Sequence, residues 1–391
     1  MTPSARVQAA IEILDEVIAS AKSDGPPADA IVTRYFKTRR YAGSKDRRAV
    51  RELVFRAIRR SGERPGSGRA AMIGLAEDDG DLAAQFDGSP HGPGPREEGE
   101  AAAAASLIPA WIQPLLSELV TAEELPALLE RAPLDLRVNV ARADREALVD
   151  RIEGAASTRL SPWGVRLPPD SRIDDHPAFL EGLFEVQDEG SQLIALACRP
   201  QDGERLLDLC AGAGGKSLAL AAAAPGAEII ASDTNRARLA QLPPRAERAG
   251  AAIAIRLLDG GHEAAQLADL EGQCDVVLID APCSGSGTWR RNPEGRWRLT
   301  SERLERLAKL QLRLLDLAAP LVKPGGALVY ATCSIIRAEG ADQARNFLGR
   351  HSSWTVQDMP FDGGRADGPG RLLTPAHDAT DGFFVARFVK P

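Results

Sequence analysis

The chain has no run of eighteen apolar residues, which argues against a membrane-spanning helix. Its first residues, MTPSARVQAAIEILDEV, lack the basic-then-apolar layout of a secretory signal. A cytoplasmic location and no membrane partner are therefore expected. Cysteine is scarce: five residues, an odd number, with no CxxC and no close pairing. That argues against a disulfide framework and a zinc site, and for a reducing compartment. No metal is expected. Histidine is equally rare, at five residues, and no oxidoreductase acid/base set is evident among them. The glycine-rich turn DLCAGAGGKS matches neither GxGxxG nor GxxxxGK[ST]. This disfavours a nicotinamide-dependent oxidoreductase and a P-loop.

What is present is an ordinary globular mixture, 44% hydrophobic and 26% charged, in 391 residues. That length allows two or more domains. The net charge of −7 argues by itself against a polyanionic partner. The distribution does not. Residues 34–64 hold twelve Lys/Arg against three Asp/Glu, and residues 290–313 hold eight against three. The acid gathers elsewhere, with eight acids and one arginine in residues 76–100. Attraction is local within about 8–10 Å of screening, so basic patches on an acidic protein can hold phosphates. The competing reading is that these are solvated helix faces.

Organisation follows from periodicity. Val7, Ala10, Ile11, Leu14, Val17 and Ile18 recur at three-and-four spacing and predict a helix. A second helix fits DRRAVRELVFRAIRR, with Val50, Leu53, Val54, Ala57 and Ile58 inward and Ser44 as its cap. Residues 61–100 read as loop-rich, with one short helix near Ala70–Leu75. LIPAWIQPLLSELV reads as another amphipathic helix. Leu136, Val138 and Val140 alternate as a strand that opens a strand–turn–helix segment. From about residue 185, apolar strands (RLLDLC, AEIIASD, AIAIRLLD, CDVVLID, GALVYATC, GFFVARF) alternate with helices. Such alternation predicts a mostly parallel sheet covered on both faces. The helix at Thr300–Leu321 carries a stripe of Leu304, Leu307, Leu310, Leu314 and Leu317, and Pro324-Gly325-Gly326 closes the loop beyond it. Pro243 and Pro244 should break the helix after Asp233.

Ligands of such sheets bind beyond the carboxyl ends of the strands. Cys210, Asp233, Asp259, Asp280 and Thr332-Cys333 all fall there. Gly212, Gly214 and Gly215 permit a tight turn and close approach, and Asp233 suits ribose hydroxyls. Together they indicate an adenosine-bearing cofactor without choosing between a dinucleotide and S-adenosylmethionine. Two cysteines, Cys283 in DAPCSGSG and Cys333 in YATCSI, border this face and suggest transient covalent chemistry. Cys198 and Cys274 read as small buried hydrophobes. Arg290, Arg291, Arg296 and Arg298 read as phosphate contacts. Trp289 and Trp297 read as packing, with base stacking as the alternative.

QDEGSQ, DLCAGAGGKS, IDAPCSGSGTWRRNPEGRW, LVYATCSI and DGFFVARF occur in order between residues 187 and 388, and the likeness they carry runs from about residue 132 to the end. This set resembles the RNA cytosine-5 methyltransferases of the Fmu/Sun family. SKDRRAVRELVF is similar to the NusB-like helical RNA-binding domain preceding the catalytic domain in the ribosomal RNA methyltransferase B group. The resemblance implies an α/β fold with a Rossmann-like methyltransferase sheet, residues 186–391. An all-α NusB-like domain at 1–131 and a small α/β lead-in at 132–185 would precede it. It implies that Cys210, Ala211, Gly212, Ala213, Gly214, Gly215 and Lys216, with Asp233, Asp259 and Asp280, bind S-adenosylmethionine. Cys333 would be the nucleophile, Cys283 would assist product release, and Asp280 would act on the base. Ala213 departs from the proline common in this turn, and LLDGG matches only through its acid. The partner implied is RNA, chiefly small-subunit ribosomal RNA, acted on by a monomer. Transfer RNA is the variant substrate, and a non-catalytic RNA-binding or assembly protein is the alternative class.

Overall fold

The computed structural model describes residues 1–23, 25–169 and 171–391. They fall into two compact units. The first comprises Met1–Leu116, Leu125–Glu130 and Thr288–Ser301. The second comprises Ser117–Glu124, Arg131–Gly287 and Glu302–Pro391.

The first unit is helical. Its opening helix, Pro3–Lys22, begins where the Thr2 hydroxyl accepts the Ala5 N–H at 3.2 Å, with Pro3 in the first turn. Val7, Ala10, Ile11, Leu14, Val17 and Ile18 are buried, as their spacing requires. In the helix Ser44–Arg60, Val50, Val54, Ala57 and Ile58 are buried and Leu53 packs against them. Its cap differs from expectation. Ser44 is already helical, and Asp46 accepts the Gly43 N–H at 3.3 Å. In the loop-rich stretch the short helix expected near Ala70–Leu75 spans Gly68–Ala76, and a further one, Gly80–Ala83, follows it. From the first of these Arg69 pairs with Glu100 and donates to the carbonyls of Gly94 (3.1 Å) and Pro95 (3.0 Å). The helix expected in LIPAWIQPLLSELV is absent, and only a short turn, Gln113–Leu115, forms. Pro109 and Pro114 remove the amide donors a continuous helix needs. Ile108, Ile112 and Leu116 are nevertheless buried.

The second unit contains two sheets. The smaller has strands β1 (Leu134–Val138), β2 (Ala156–Ser157), β3 (Gly164–Leu167) and β4 (Phe184–Val186), in the order β2-β3-β1-β4 and antiparallel throughout. Leu136, Val138, Leu148, Val165 and Phe184 form its core.

The larger sheet has a parallel half. It is made of β5 (Arg205–Asp208), β6 (Glu228–Asp233), β7 (Ile253–Leu257), β8 (Cys274–Asp280) and β9 (Val322–Thr332). An antiparallel flank follows: β10 (Thr355–Val356), β11 (Arg365–Asp367), β12 (Gly370–Leu373) and β13 (Phe383–Val389). The order is β11-β12-β13-β9-β8-β5-β6-β7, with β10 on β13. The fold class is α/β, and the sheet is mixed rather than mostly parallel, because the closing GFFVARF strand runs antiparallel to β9. Pro324-Gly325-Gly326 lies within β9 instead of closing a loop. Gly325 takes φ +76°, and the β8–β9 pairing shifts register between Cys274 and Val276. The double proline acts as expected. The helix divides into Arg236–Leu239 and Leu242–Ala249, with both prolines in the second helix's first turn, where no amide partner is needed.

Candidate active site

Strand order reverses between β5 and β8: β6 and β7 extend one way from β5, and β8 and β9 the other. Such a switch opens a crevice at the strands' carboxyl ends. A cavity of about 490 Å³ lies there, a size typical of small-molecule sites. Cys210, Asp233, Asp280, Cys283 and Cys333 all line it, and every lining residue belongs to the second unit.

The turn after β5 forms one edge. Gly214 caps the helix Gly215–Ala223 at φ +80°, and a Cβ there would meet the Leu242 side chain at 2.2 Å. Gly212, at φ +56°, donates its N–H to Asp233 Oδ2 at 2.7 Å. Two arginines hold the turn's carbonyls: Arg245 Nη1 reaches Ala213 O at 2.6 Å, and Arg137 Nη1 reaches Gly215 O at 2.5 Å. Arg137 comes from β1, so the small sheet braces this turn. Burial together with the charges of Asp208, Asp233 and Asp280 pushes the Cys210 thiol well up, which leaves it neutral.

Lys216 Nζ donates to Asp280 Oδ2 at 2.6 Å. Burial alone would lower the Lys216 ammonium, but the Asp280 carboxylate outweighs it and holds the group above its ordinary value. Asp208 and Cys333 add to that rise, so Lys216 is a cation. The two thiols are adjacent, with Cys283 Sγ and Cys333 Sγ 3.3 Å apart. The Cys283 thiol is pushed well above its ordinary value. The first cause is its bond to Cys333, followed by burial and by the charges of Cys333 and Glu339. One negative charge is therefore all the pair accommodates, and Cys283 keeps its proton. Cys198 and Cys274 are buried in the core, pushed by burial to about 12 and about 11, and play no part here.

Asp259 is not brought to the cavity. It is exposed, and its Oδ2 accepts from Gln266 Nε2 at 3.0 Å, while the preceding Leu258 lines the space. The leucine stripe contributes unexpectedly: Leu307, Leu310, Leu314 and Leu317 form an apolar wall. Arg238, Arg303 and Arg313 also line the cavity, and Arg313 pairs with Glu263 at 2.9 Å, which lowers that acid to about 2. Only their alignment in three dimensions reveals these residues.

In the arginine–tryptophan segment the tryptophans pack as expected, whereas Arg296 and Arg298 are spent on backbone carbonyls. Trp297 is 2% exposed and donates to Ser61 O at 2.8 Å within the helical core, and Trp289 is fully buried. Arg296 is 1% exposed, with bonds to the carbonyls of Ile58 (2.6 Å), Pro293 (2.9 Å) and Leu107. Arg298 donates to Gly25 O and Pro26 O, and Arg290 is buried. The Arg296 and Arg298 guanidiniums satisfy carbonyls of the first unit rather than phosphates. The helix Ser44–Arg60 follows the same pattern in part: Arg51 pairs with Asp29, Arg56 with Asp79 and Arg60 with Asp78.

Asp208 closes β5 beneath the turn. It is 1% exposed, and its Oδ2 accepts from Ser217 Oγ at 2.7 Å. Oδ1 has no partner among the described residues. Burial, opposed by the Ser217 bond, raises its carboxyl from 3.8 to about 7. An acid raised on folding favours the native state at low pH, and that contribution is lost as pH rises from 3.8 to about 7. The loss amounts to a few kcal/mol at about 1.4 kcal/mol per pH unit. Asp208→Asn should therefore raise the thermal midpoint relative to the parent by several degrees more at pH 8 than at pH 4. An equal difference at both pH values would show that Asp208 does not titrate in this window.

Comparison with known proteins agrees with this geometry. Residues 195–389 match the model of the 16S rRNA methyltransferase RsmB/F family. The ribosomal RNA small subunit methyltransferase B of Salmonella paratyphi B is 36% identical over 265 residues. That match spans 67% of this chain and 60% of the relative's own length. Among solved structures, PH0851 superposes over 100% of this chain and 99% of its own, with TM-score 0.76 at 23% identity. A methyltransferase homolog protein from Pyrococcus horikoshii covers 71% of this chain and 92% of its own, with TM-score 0.61 at 26% identity. The fold is the Rossmann-like one of S-adenosylmethionine-dependent methyltransferases, and residues 195–389 belong to the 16S rRNA methyltransferase RsmB/F family.

Proposed function

We propose that the chain methylates carbon 5 of cytosine in RNA, with small-subunit ribosomal RNA as substrate, through a covalent bond between Cys333 and the base. The observation that carries this reading is the pair of thiols 3.3 Å apart at the rim of the strand-end cavity. Carbon 5 of cytosine is a poor nucleophile. Addition of the Cys333 sulfur at carbon 6 makes carbon 5 enamine-like, and covalent catalysis thereby divides one hard step into easier ones. S-adenosylmethionine, when bound, supplies a methyl group on a sulfonium. The turn Cys210–Lys216, Asp233 and Asp280 would hold it; Asp259 stands outside the cavity. Lys216 is held charged by its bond to Asp280, which lines the cavity, and the thiolate is the form in which Cys333 attacks. Free thiols suit the reducing cytoplasm, and all five cysteines are unpaired.

We assign RNA holding to the helical N-terminal segment, residues 1–131, as a NusB-like domain. Among the described residues, no helix is long and apolar enough to cross a membrane. The target base must be unstacked or already single-stranded to enter the site.

The test is to incubate the purified chain with S-adenosylmethionine and either small-subunit ribosomal RNA or transfer RNA, then map 5-methylcytosine by bisulfite sequencing. A single modified ribosomal cytosine is expected. Modification of transfer RNA alone would keep the chemistry and overturn the substrate. No modified cytosine in either would reject the reading in favour of an RNA-binding protein.

A further inference from the structure

Each of the two cysteines is followed by a serine, and both serines bond to one carboxylate. Glu339 is fully buried. Its Oε1 accepts the Ser284 N–H at 2.8 Å and Gln311 Nε2 at 3.1 Å. Its Oε2 accepts the Ser284 hydroxyl and Ser334 Oγ, the latter at 2.6 Å. Ser286 ties the same group together: its hydroxyl lies 2.9 Å from Ser334 Oγ and accepts the Ile335 N–H at 3.0 Å. The acid itself is anchored from β9, where Tyr330 and Thr332 donate to its backbone carbonyl at 2.7 and 3.2 Å. The loop carrying Cys283 and the strand end carrying Cys333 thus share one buried acceptor.

We propose that Glu339 is a positioning residue that fixes the register of the Cys283 and Cys333 thiols. The inference rests on the proposed role of that pair, but it concerns geometry and can be read without methyl transfer. A buried carboxylate needs its hydrogen bonds satisfied, and a core needs only some set of donors to do that. Here three of the four donor groups belong to the residues immediately after the two thiols, so satisfying the acid also sets the gap between the sulfurs.

The chemistry separates the conservative variant from the disruptive one. In Glu339→Gln, the amide oxygen can keep the two nitrogen donors at the Oε1 position. The amide NH2 can donate to Ser284 and Ser334, whose hydroxyls can turn to accept. The clamp survives while the charge facing Cys283 disappears. In Glu339→Ala the clamp is gone.

The register is read by treating the full-length protein with diamide, which takes two hydrogens from the thiol pair as the disulfide forms, and timing the Cys283–Cys333 bond by mass spectrometry. We expect the parent and Glu339→Gln to close quickly, with the glutamine variant at least as fast. Glu339→Ala should close at least tenfold more slowly while its affinity for S-adenosylmethionine is unchanged. Ser334→Ala, which removes one donor, should close severalfold more slowly and serves if Glu339→Ala does not fold. Parental rates in both Glu339→Ala and Ser334→Ala, or a glutamine variant as slow as the alanine one, would overturn the inference. If these rates behave as expected but the parent methylates no RNA, the proposed function fails and the positioning role stands.

Discussion

Cys333→Ala should abolish methyl transfer while leaving the affinity for S-adenosylmethionine near that of the parent. Cys333 sits one residue past β9 and lines the cavity, with its sulfur 3.3 Å from that of Cys283. No other thiol can take its place. Cys283 is held protonated by its bond to Cys333, Cys210 is held neutral by burial and three acids, and Cys198 and Cys274 are in the core. Without a nucleophile at carbon 6, carbon 5 has no activated form. A loss of at least about 1,000-fold corresponds to about 4 kcal/mol of barrier. The cofactor turn is braced by Asp233, Arg137 and Arg245 rather than by the thiol, so cofactor affinity should persist. Calorimetric titration with S-adenosylmethionine alongside a methyl-transfer assay checks both halves. Activity in the variant comparable to the parent's would remove Cys333 from the nucleophile role.

The pieces of this site that were legible in the sequence share one property: each depends on position along a strand. A residue at the carboxyl end of an apolar run must lie at one edge of a parallel sheet, so Cys210, Asp233, Asp280 and Cys333 could be grouped without coordinates. Asp259 obeyed the same rule and still missed, because the rule fixes the end of the strand and not the direction of the side chain. Gln266 captures that carboxylate. The arginine–tryptophan segment shows a second limit. Clustered arginine suggested phosphate contacts, yet the Arg296 guanidinium is consumed by the backbone carbonyls of Ile58 and Pro293, while Trp297 packs as read. A sequence does not display which carbonyls lack partners. Glu339 shows a third. It follows the TCSI motif closely, but its importance lies in meeting Ser284, 55 residues earlier.

Cys283→Ala should have the opposite signature to Cys333→Ala: a covalent protein–RNA species that persists. The argument turns on what holds the Cys283 proton. Its largest cause is the neighbouring Cys333 sulfur, which bonds to the thiol and repels a second negative charge. When Cys333 adds to carbon 6 it becomes a neutral thioether, and both influences vanish together. Cys283 can then release its proton to solvent and serve as the thiolate base that the next step needs. Taking the proton from carbon 5 re-forms the 5,6 double bond, breaks the carbon 6–sulfur bond and returns Cys333 as thiolate. The proton that Cys283 has taken from carbon 5 is then available to the departing sulfur 3.3 Å away. Alanine supplies neither group, so methylation of the base should proceed while release stalls. The expected result is a retarded band on a denaturing gel after incubation with RNA and S-adenosylmethionine. It should be sensitive to ribonuclease, absent from Cys333→Ala and from the double variant, and accompanied by turnover reduced at least tenfold. A Cys283→Ala protein that turns over like the parent and leaves no such band would show that release needs no second thiol.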